Sequence, residues 1–203
     1  MISPALPSPL VIAGHLAIDF VNSRAMPNGV PVDWLHDGQA LVGWMSSLSL
    51  YPAADLQDLQ RNAPARRLDD VATEARELRE LLRGQLARPK HLRTDTGIWK
   101  AVNEVMARGS SFQLLRRNDA EPQLADHERL EKPGQLLVPI AKAIGRLIVE
   151  EDLTRLHACE GPGCILWFLD STKAAHRRFC STSGCGNRAK VAAFRSRQRK
   201  QPR

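Results

Sequence analysis

The sequence has no run of 18 apolar residues, so a membrane-spanning helix is not expected. No charged segment precedes the apolar part of its N-terminus, MISPALPSPLVIAGHLAIDF, so that stretch does not read as a secretory signal. P-loop, GxGxxG, GxSxG and HExxH patterns are all missing, and with them the usual sequence marks of nucleotide-binding, acyl-hydrolase and zinc-protease chemistry. One Tyr and five Phe leave little material for a base-stacking platform. The most informative gap is regional. Residues 171–203 contain no Asp or Glu at all.

That stretch holds ten Lys or Arg, so the formal charge of +7 conceals an asymmetry. Residues 1–170 carry 19 basic and 22 acidic side chains, a net charge of −3. A mildly acidic body with a strongly basic end points to a polyanion contact at that end, or else to a solvated tail.

The four cysteines stand beside this end as two pairs. Four residues separate Cys159 from Cys164, four separate Cys180 from Cys185, and fifteen lie between the pairs. Short pairs with a spacer of this length are the form of a structural zinc site. With no export signal, reduced thiols and a cytoplasmic protein are expected. Four thiolates fill a tetrahedral zinc and leave no position for a reactive water, so one structural Zn2+ is expected and no metal chemistry. His157 and His176 are alternative ligands that four cysteines make unnecessary. Two disulfides or an iron–sulfur cluster are the other readings of the same pairs.

The fold class expected is mainly α, with a possible small β-hairpin, followed by a treble-clef-like or ribbon-like zinc finger. The division expected is 1–150 and 151–203. Gly14 to Ser23 is ambiguous between strand and helix. Its polar His15, Asp19 and Asn22 are candidates for a small ligand pocket or for bracing the core. Asp33 is a candidate cap for a short segment through Trp34 and Leu35. Asp37 caps a helix bearing Leu41, Val42, Trp44, Met45 and Leu48. Helices are predicted over about 56–62, 65–87, from Thr94 or Asp95 to Gly109, and over 136–150. Arg76, Glu77, Arg79 and Glu80 fall on the solvated faces of the second of these. Phe112 to Arg116 and Gln123 to Ala125 make a hairpin turned at Asn118-Asp119.

Within the finger, Thr154 to Ala158 leads into the first pair as a strand. Gly161-Pro162-Gly163 shapes the knuckle, with glycine free to take positive φ. Trp167 to Leu169 is a strand for which Arg177 to Cys180 is the expected return partner. A helix runs from about Cys185 to Lys200. At 100° per residue, Arg188, Arg195 and Arg199 share a sector of about 40°, and Lys190 and Arg197 form a second stripe. Ala189, Ala192 and Ala193 are expected to pack on the hairpin, and the aromatic side chains, Phe194 included, to be used in packing. Lys173, Arg177 and Arg178 extend the basic patch. Arginine contacts phosphate bidentately and can read guanine, while Asn187 can contact adenine or cap the helix.

These residues carry a family resemblance. Cys185-Gly186-Asn187-Arg188 is the signature of the CGNR zinc-finger family. C-x4-C, Phe168, Asp170, Arg177-Arg178-Phe179-Cys180 and Lys190 fit the surrounding pattern. Gly14-His15-Leu16-Ala17-Ile18-Asp19-Phe20-Val21-Asn22 resembles the opening of the ABATE domain that precedes this finger. Phe179 stands where Trp is common and Leu16 where Pro is common; both stay apolar. The resemblance implies a bacterial, stress-induced transcription regulator whose finger binds DNA through the basic patch, Lys200 included.

Four functional classes follow: a DNA-binding regulator, an RNA-binding zinc protein, a protein-interaction finger, and an enzyme with a pocket at His15, Asp19 and Asn22. The first is preferred, because no catalytic constellation accompanies those three polar residues or any others. A homodimer and a small-molecule effector acting on the N-terminal part are further expectations.

Overall fold

The computed structural model describes residues 7–118 and 121–199. Among them are seven α-helices and three two-stranded antiparallel sheets, so the mainly α class holds. In chain order the elements are α1 (Leu16–Val21), β1 (Arg24–Ala25), β2 (Val32–Asp33), α2 (Gly38–Ser47), α3 (Ala53–Asn62), α4 (Ala65–Gln85) and α5 (Thr96–Met106). Then come β3 (Ser111–Asn118), β4 (Glu121–Glu128), α6 (Val138–Glu150), β5 (Leu156–Ala158), β6 (Trp167–Leu169) and α7 (Asn187–Arg199). The residues gather into two compact units. The first holds the described residues within Met1–Trp34, Arg79–Asp95 and Arg146–Arg203, and the second holds Leu35–Leu78 and Thr96–Gly145.

In the second unit, local chemistry sets the helix boundaries. Asp37 caps α2, its Oδ1 accepting from the Ala40 N–H at 2.8 Å. Leu41, Val42, Trp44 and Met45 are buried on its inner face, and the chain turns out through Ser49 at φ +52° before Pro52 starts α3. The buried Tyr51 hydroxyl donates to the Gln135 carbonyl at 2.6 Å, and burial pushes its pKa well above the usual phenol range. Arg108 grips Glu74 with two bonds of 2.7 and 2.5 Å. β3 and β4 pair along eight residues with Leu115 opposite Leu124, a longer hairpin than the sequence suggests. Residues 119 and 120 of its expected turn lie outside those described.

The first unit holds the cysteines. The ambiguous Gly14–Ser23 stretch is a helix, α1, capped by the His15 ring, whose Nδ1 accepts from the Ala17 N–H at 3.2 Å. Burial lowers the His15 pKa, which keeps the ring neutral for that bond. Ala17, Ile18, Phe20 and Val21 are fully buried.

One expectation fails here. Asp33 ends β2, which pairs with β1, and its carboxylate receives two bonds of 2.7 Å from Arg79. Arg79, expected on a solvated face, is 2 % exposed and also bonds Ser23 Oγ at 3.0 Å. A guanidinium can be buried when a carboxylate matches its fork, and helical spacing carries no sign of such a distant partner. At the end of α6, Arg93 donates to the Ile148 and Glu151 carbonyls at 3.2 and 3.0 Å, satisfying groups the helix leaves open.

The strand partner expected for Trp167–Leu169 is also different. β6 pairs with β5, Leu156 opposite Leu169 and Ala158 opposite Trp167. Residues 177–180 instead pass beside the sheet, held where the Arg178 carbonyl accepts from the Glu160 N–H at 3.0 Å. Three-residue strands carry too little pattern to choose between two candidate partners.

Candidate metal centre and basic helix

Cys159 and Cys164 lie on the loop that joins β5 to β6, as in a ribbon. Cys180 and Cys185 lie on the turn that opens into α7, as in a treble clef. The loop is closed by the Cys159 N–H donating to the Leu166 carbonyl at 2.9 Å and the Cys164 N–H to the Gly161 carbonyl at 3.0 Å. Gly163 takes φ +68°, which suits glycine. Gly161 is required for space: a Cβ there would sit 2.8 Å from both Cβ and Sγ of Cys185. The second pair is spanned by a single wide helical turn, Thr182–Gly186, which Ser181 starts by accepting from the Gly184 N–H at 3.0 Å.

The four sulfurs all lie within 4.8 Å of one another. Cys164 and Cys180 are 3.9 Å apart and Cys180 and Cys185 3.6 Å. A tetrahedron with zinc–sulfur bonds of about 2.3 Å has an edge of about 3.8 Å, so the spacing fits zinc. It is far beyond a disulfide bond of about 2.05 Å, and all four cysteines are free. Backbone N–H groups of Gly161 and Cys180 point at Cys159 Sγ, at 3.4 and 3.2 Å. The cluster favours one negative charge and opposes more. Hydrogen bonding from Cys180 draws Cys164 down to about 5, while the same pairing and burial drive Cys180 far up. Four thiolates can coexist there only around a cation, and a structural Zn2+ supplies it. With all four positions taken by sulfur, the metal holds the fold and has no open site for substrate.

The candidate pocket residues are engaged with backbone. Asp19 is buried, and its Oδ1 accepts from the Ile12 and Ala13 N–H groups at 3.0 and 2.9 Å. Burial raises its pKa, with those two bonds opposing. Asn22 is fully buried, and its amide bonds both the N–H and the carbonyl of Trp167. Ala13 accepts from the Leu169 N–H at 2.8 Å, so the segment before α1 runs beside β6.

The basic residues divide. Arg177 is tied inward: its Nε donates to the Phe179 carbonyl at 3.0 Å, and its Nη2 donates to the Ile12 carbonyl at 2.8 Å and to that of Cys180. Its guanidinium lies 4.4 Å from the centre of the Phe168 ring. Arg188 donates to Cys185 Sγ at 3.0 Å, which raises its own pKa. Arg178 pairs with Glu160 in the open, Nε to Oε2 at 2.7 Å. Lys173, Asn187, Lys190, Arg195 and Arg197 are exposed. Arg199 ends α7, and Lys200 lies outside the described residues.

α7 does not pack as expected. Ala189 is half-buried, but Ala192 and Ala193 are exposed, so contact with the finger ends within the first turn. Phe194 is 55 % exposed and Val191 48 %.

Sequence reasoning missed Asp170 as a structural centre. Fully buried, it accepts from the Thr172 N–H and hydroxyl at 2.9 and 2.6 Å and from the Arg177 N–H at 2.8 Å. The Asp170-x-Thr172 spacing was its available signal, since Asp bonds its own backbone two residues on.

Residues 155–198 match the family described as the CGNR zinc finger, and residues 14–151 match ABATE, described as a putative stress-induced transcription regulator. The chain belongs to the ABATE family. Its CGNR finger follows the ABATE region, in the order the sequence motifs indicated. Both are regulator or finger families and neither is an enzyme family. Comparison with curated proteins gives no match. No helix among the described residues is long and apolar enough to cross a membrane.

Proposed function

We propose that the chain is a bacterial, cytoplasmic DNA-binding transcription regulator of a stress response. In this reading the residues after 150 contact DNA, and those before 151 sense a small molecule or dimerise. One observation carries it: residues 171–203 hold ten basic and no acidic residues, and Lys190, Arg195 and Arg197 are exposed on a helix whose Ala192 and Ala193 are exposed as well. Lys190, Arg195, Arg197, Arg199 and Lys200 on and after α7, with Lys173 and Arg178, supply phosphate contacts. Arg177 and Arg188 serve the same end indirectly, by holding the turn from which α7 starts. Asn187, at the first position of α7, faces whatever the helix contacts.

The test is duplex-DNA affinity against salt for the zinc-loaded protein. Several phosphate contacts give a steep fall, with about 0.9 in the logarithmic slope for each phosphate that the protein neutralises. Replacing Lys190, Arg195 and Arg197 by Ala should flatten the slope accordingly. A flat wild-type slope, or no change in the triple variant, overturns the reading.

The exposed Phe194 favours one rival, single-stranded RNA, because it offers a stacking face where the sequence pattern suggests packing. Direct competition between duplex DNA and single-stranded RNA separates the two.

A further inference from the structure

The basic residues of α7 form two rails with something else between them. At about 100° per residue, Lys190 and Arg197 lie on one side of the helix and Arg195 on the other. Between the rails, within about 60°, fall Asn187, Val191, Phe194 and Gln198. All four are exposed. Ala189, the half-buried residue among those of α7 whose exposure is described, lies about 170° around from the middle of this stripe. The stripe therefore points directly away from the finger, flanked on both sides by positive charge.

We infer that α7 enters the major groove of duplex DNA with the Asn187–Val191–Phe194–Gln198 stripe against the base edges and the two rails on the opposite phosphate strands. The inference rests on the DNA-binding reading above and adds which residues confer sequence preference and for what. The charge geometry selects this occupant. A groove offers two anionic walls with an uncharged floor between them, and an α-helix fits its width of about 12 Å. The floor in turn suits the stripe. Asn and Gln pair bidentately with the N6 and N7 edge of adenine, and apolar side chains contact the thymine methyl. Asn187 and Gln198 are eleven residues apart, about 16 Å along the axis, or about five base pairs. The expected site thus has adenine at both ends of a window of about five pairs, with thymine within it.

The experiment starts from selection of duplexes from a random pool by the full zinc-loaded chain, followed by affinity measurements on the selected site. Asn187→Ala or Gln198→Ala should weaken that site about tenfold or more while leaving the salt slope and the affinity for unrelated DNA unchanged. Substituting 7-deaza-adenine at either end should reproduce the loss with the wild-type protein. Replacing the inner thymine by uracil should cost about fourfold, the value of one buried methyl, and Phe194→Ala or Val191→Ala should abolish that difference. Zinc content and thermal midpoint confirm that each variant is folded, and the nucleotide analogues test the idea with no variant at all. Selection of sites lacking adenine and thymine, or indifference to the analogues, overturns the inference and leaves the DNA reading standing. Absence of duplex binding, tighter binding of single-stranded RNA, or equal affinity for anionic vesicles overturns both.

Discussion

Asn22 and Trp167 stand 145 positions apart and share two hydrogen bonds, the Asn22 amide donating to the Trp167 carbonyl at 2.8 Å and its oxygen accepting from the Trp167 N–H at 3.0 Å. One side chain thus completes the backbone bonding of β6 from the last turn of the family's N-terminal motif. Replacing Asn22 by Ala strands two polar groups of a buried strand, at about 1–3 kcal/mol each. For a chain of this size each kcal/mol lowers the thermal midpoint by about 2–4 °C, so a fall on the order of 10 °C is expected in a melting experiment. An unchanged midpoint would mean the clasp contributes nothing.

Arg177 and Arg195 are both arginines of the basic segment, and they should fail in different ways. Arg177→Ala removes bonds to three carbonyls and the contact with Phe168, so stability should fall by about 2–4 kcal/mol. Arg195→Ala, on an exposed helix face, should leave the melting curve within about 0.5 kcal/mol of wild type. Denaturant unfolding of the two variants side by side checks this, and equal curves would refute it.

The Arg79–Asp33 pair sets a larger stake. Arg79→Ala leaves the Asp33 carboxylate without its fork and opens a void where a 2 %-exposed side chain stood. Breaking a buried pair from one side costs about 3–5 kcal/mol. The double variant Arg79→Ala with Asp33→Asn should recover part of that loss, because it removes the uncompensated carboxylate and keeps the void. A double variant as unstable as the single one would place the cost in packing instead.

Those three sites mark where the sequence stopped being legible. The two cysteine pairs and the cap at Asp37 lie within a few residues of the groups they serve. Spacing alone therefore exposed the metal centre and the start of α2. The apolar repeat expected over 65–87 was nearly as plain: Leu68, Val71, Ala75, Leu78, Leu82 and Leu86 are buried, while Leu81 is 39 % exposed. Asp33 with Arg79, Asn22 with Trp167 and Arg177 with Ile12 join residues between 46 and 165 positions apart. No local period encodes such a partner, so Arg79 looked like a solvated residue, Asn22 like a pocket or bracing residue, Asp33 like a cap and Arg177 like part of the basic patch. The exposure of Phe194 was hidden for the converse reason: an aromatic residue is assigned to a core by default, and α7 has almost no core to join.

Asp170 makes a prediction about pH. Its three donors, led by the Thr172 hydroxyl, hold the carboxyl at about 2, below the ordinary aspartate value of 3.8. A depressed acid contributes stability that is complete above its unfolded value and is lost as pH falls through its folded one. The contribution should therefore be constant from neutrality to about pH 5 and decline between about 4 and 2. Carboxyl-carbon NMR should find Asp170 still ionised at about pH 3, where exposed aspartates are mostly protonated. A midpoint near 4 would show that the bonds to Thr172 and Arg177 do not favour the anion.

Gly161 and Gly163 belong to the same knuckle, and alanine should separate their roles. At Gly161 the new Cβ meets Cys185 Cβ and Sγ at 2.8 Å and Cys159 Sγ at 3.4 Å, so a ligand must move. At Gly163 nothing stands within 4 Å, but φ is +68°, so the cost is backbone strain alone. Zinc affinity should then fall on the order of 10- to 100-fold for Gly161→Ala, the effect of disturbing groups that orient metal ligands. For Gly163→Ala the loss should be smaller, reflecting about 1–2 kcal/mol of strain in the folded loop. Competition with a chromophoric chelator measures both, and complete removal of zinc should unfold the finger in each, since metal binding of about 10–16 kcal/mol is what holds so small a module together. Equal affinities for the two variants would show that the close approach at Gly161 relaxes without shifting Cys185, and that the sulfur tetrahedron tolerates its own movement.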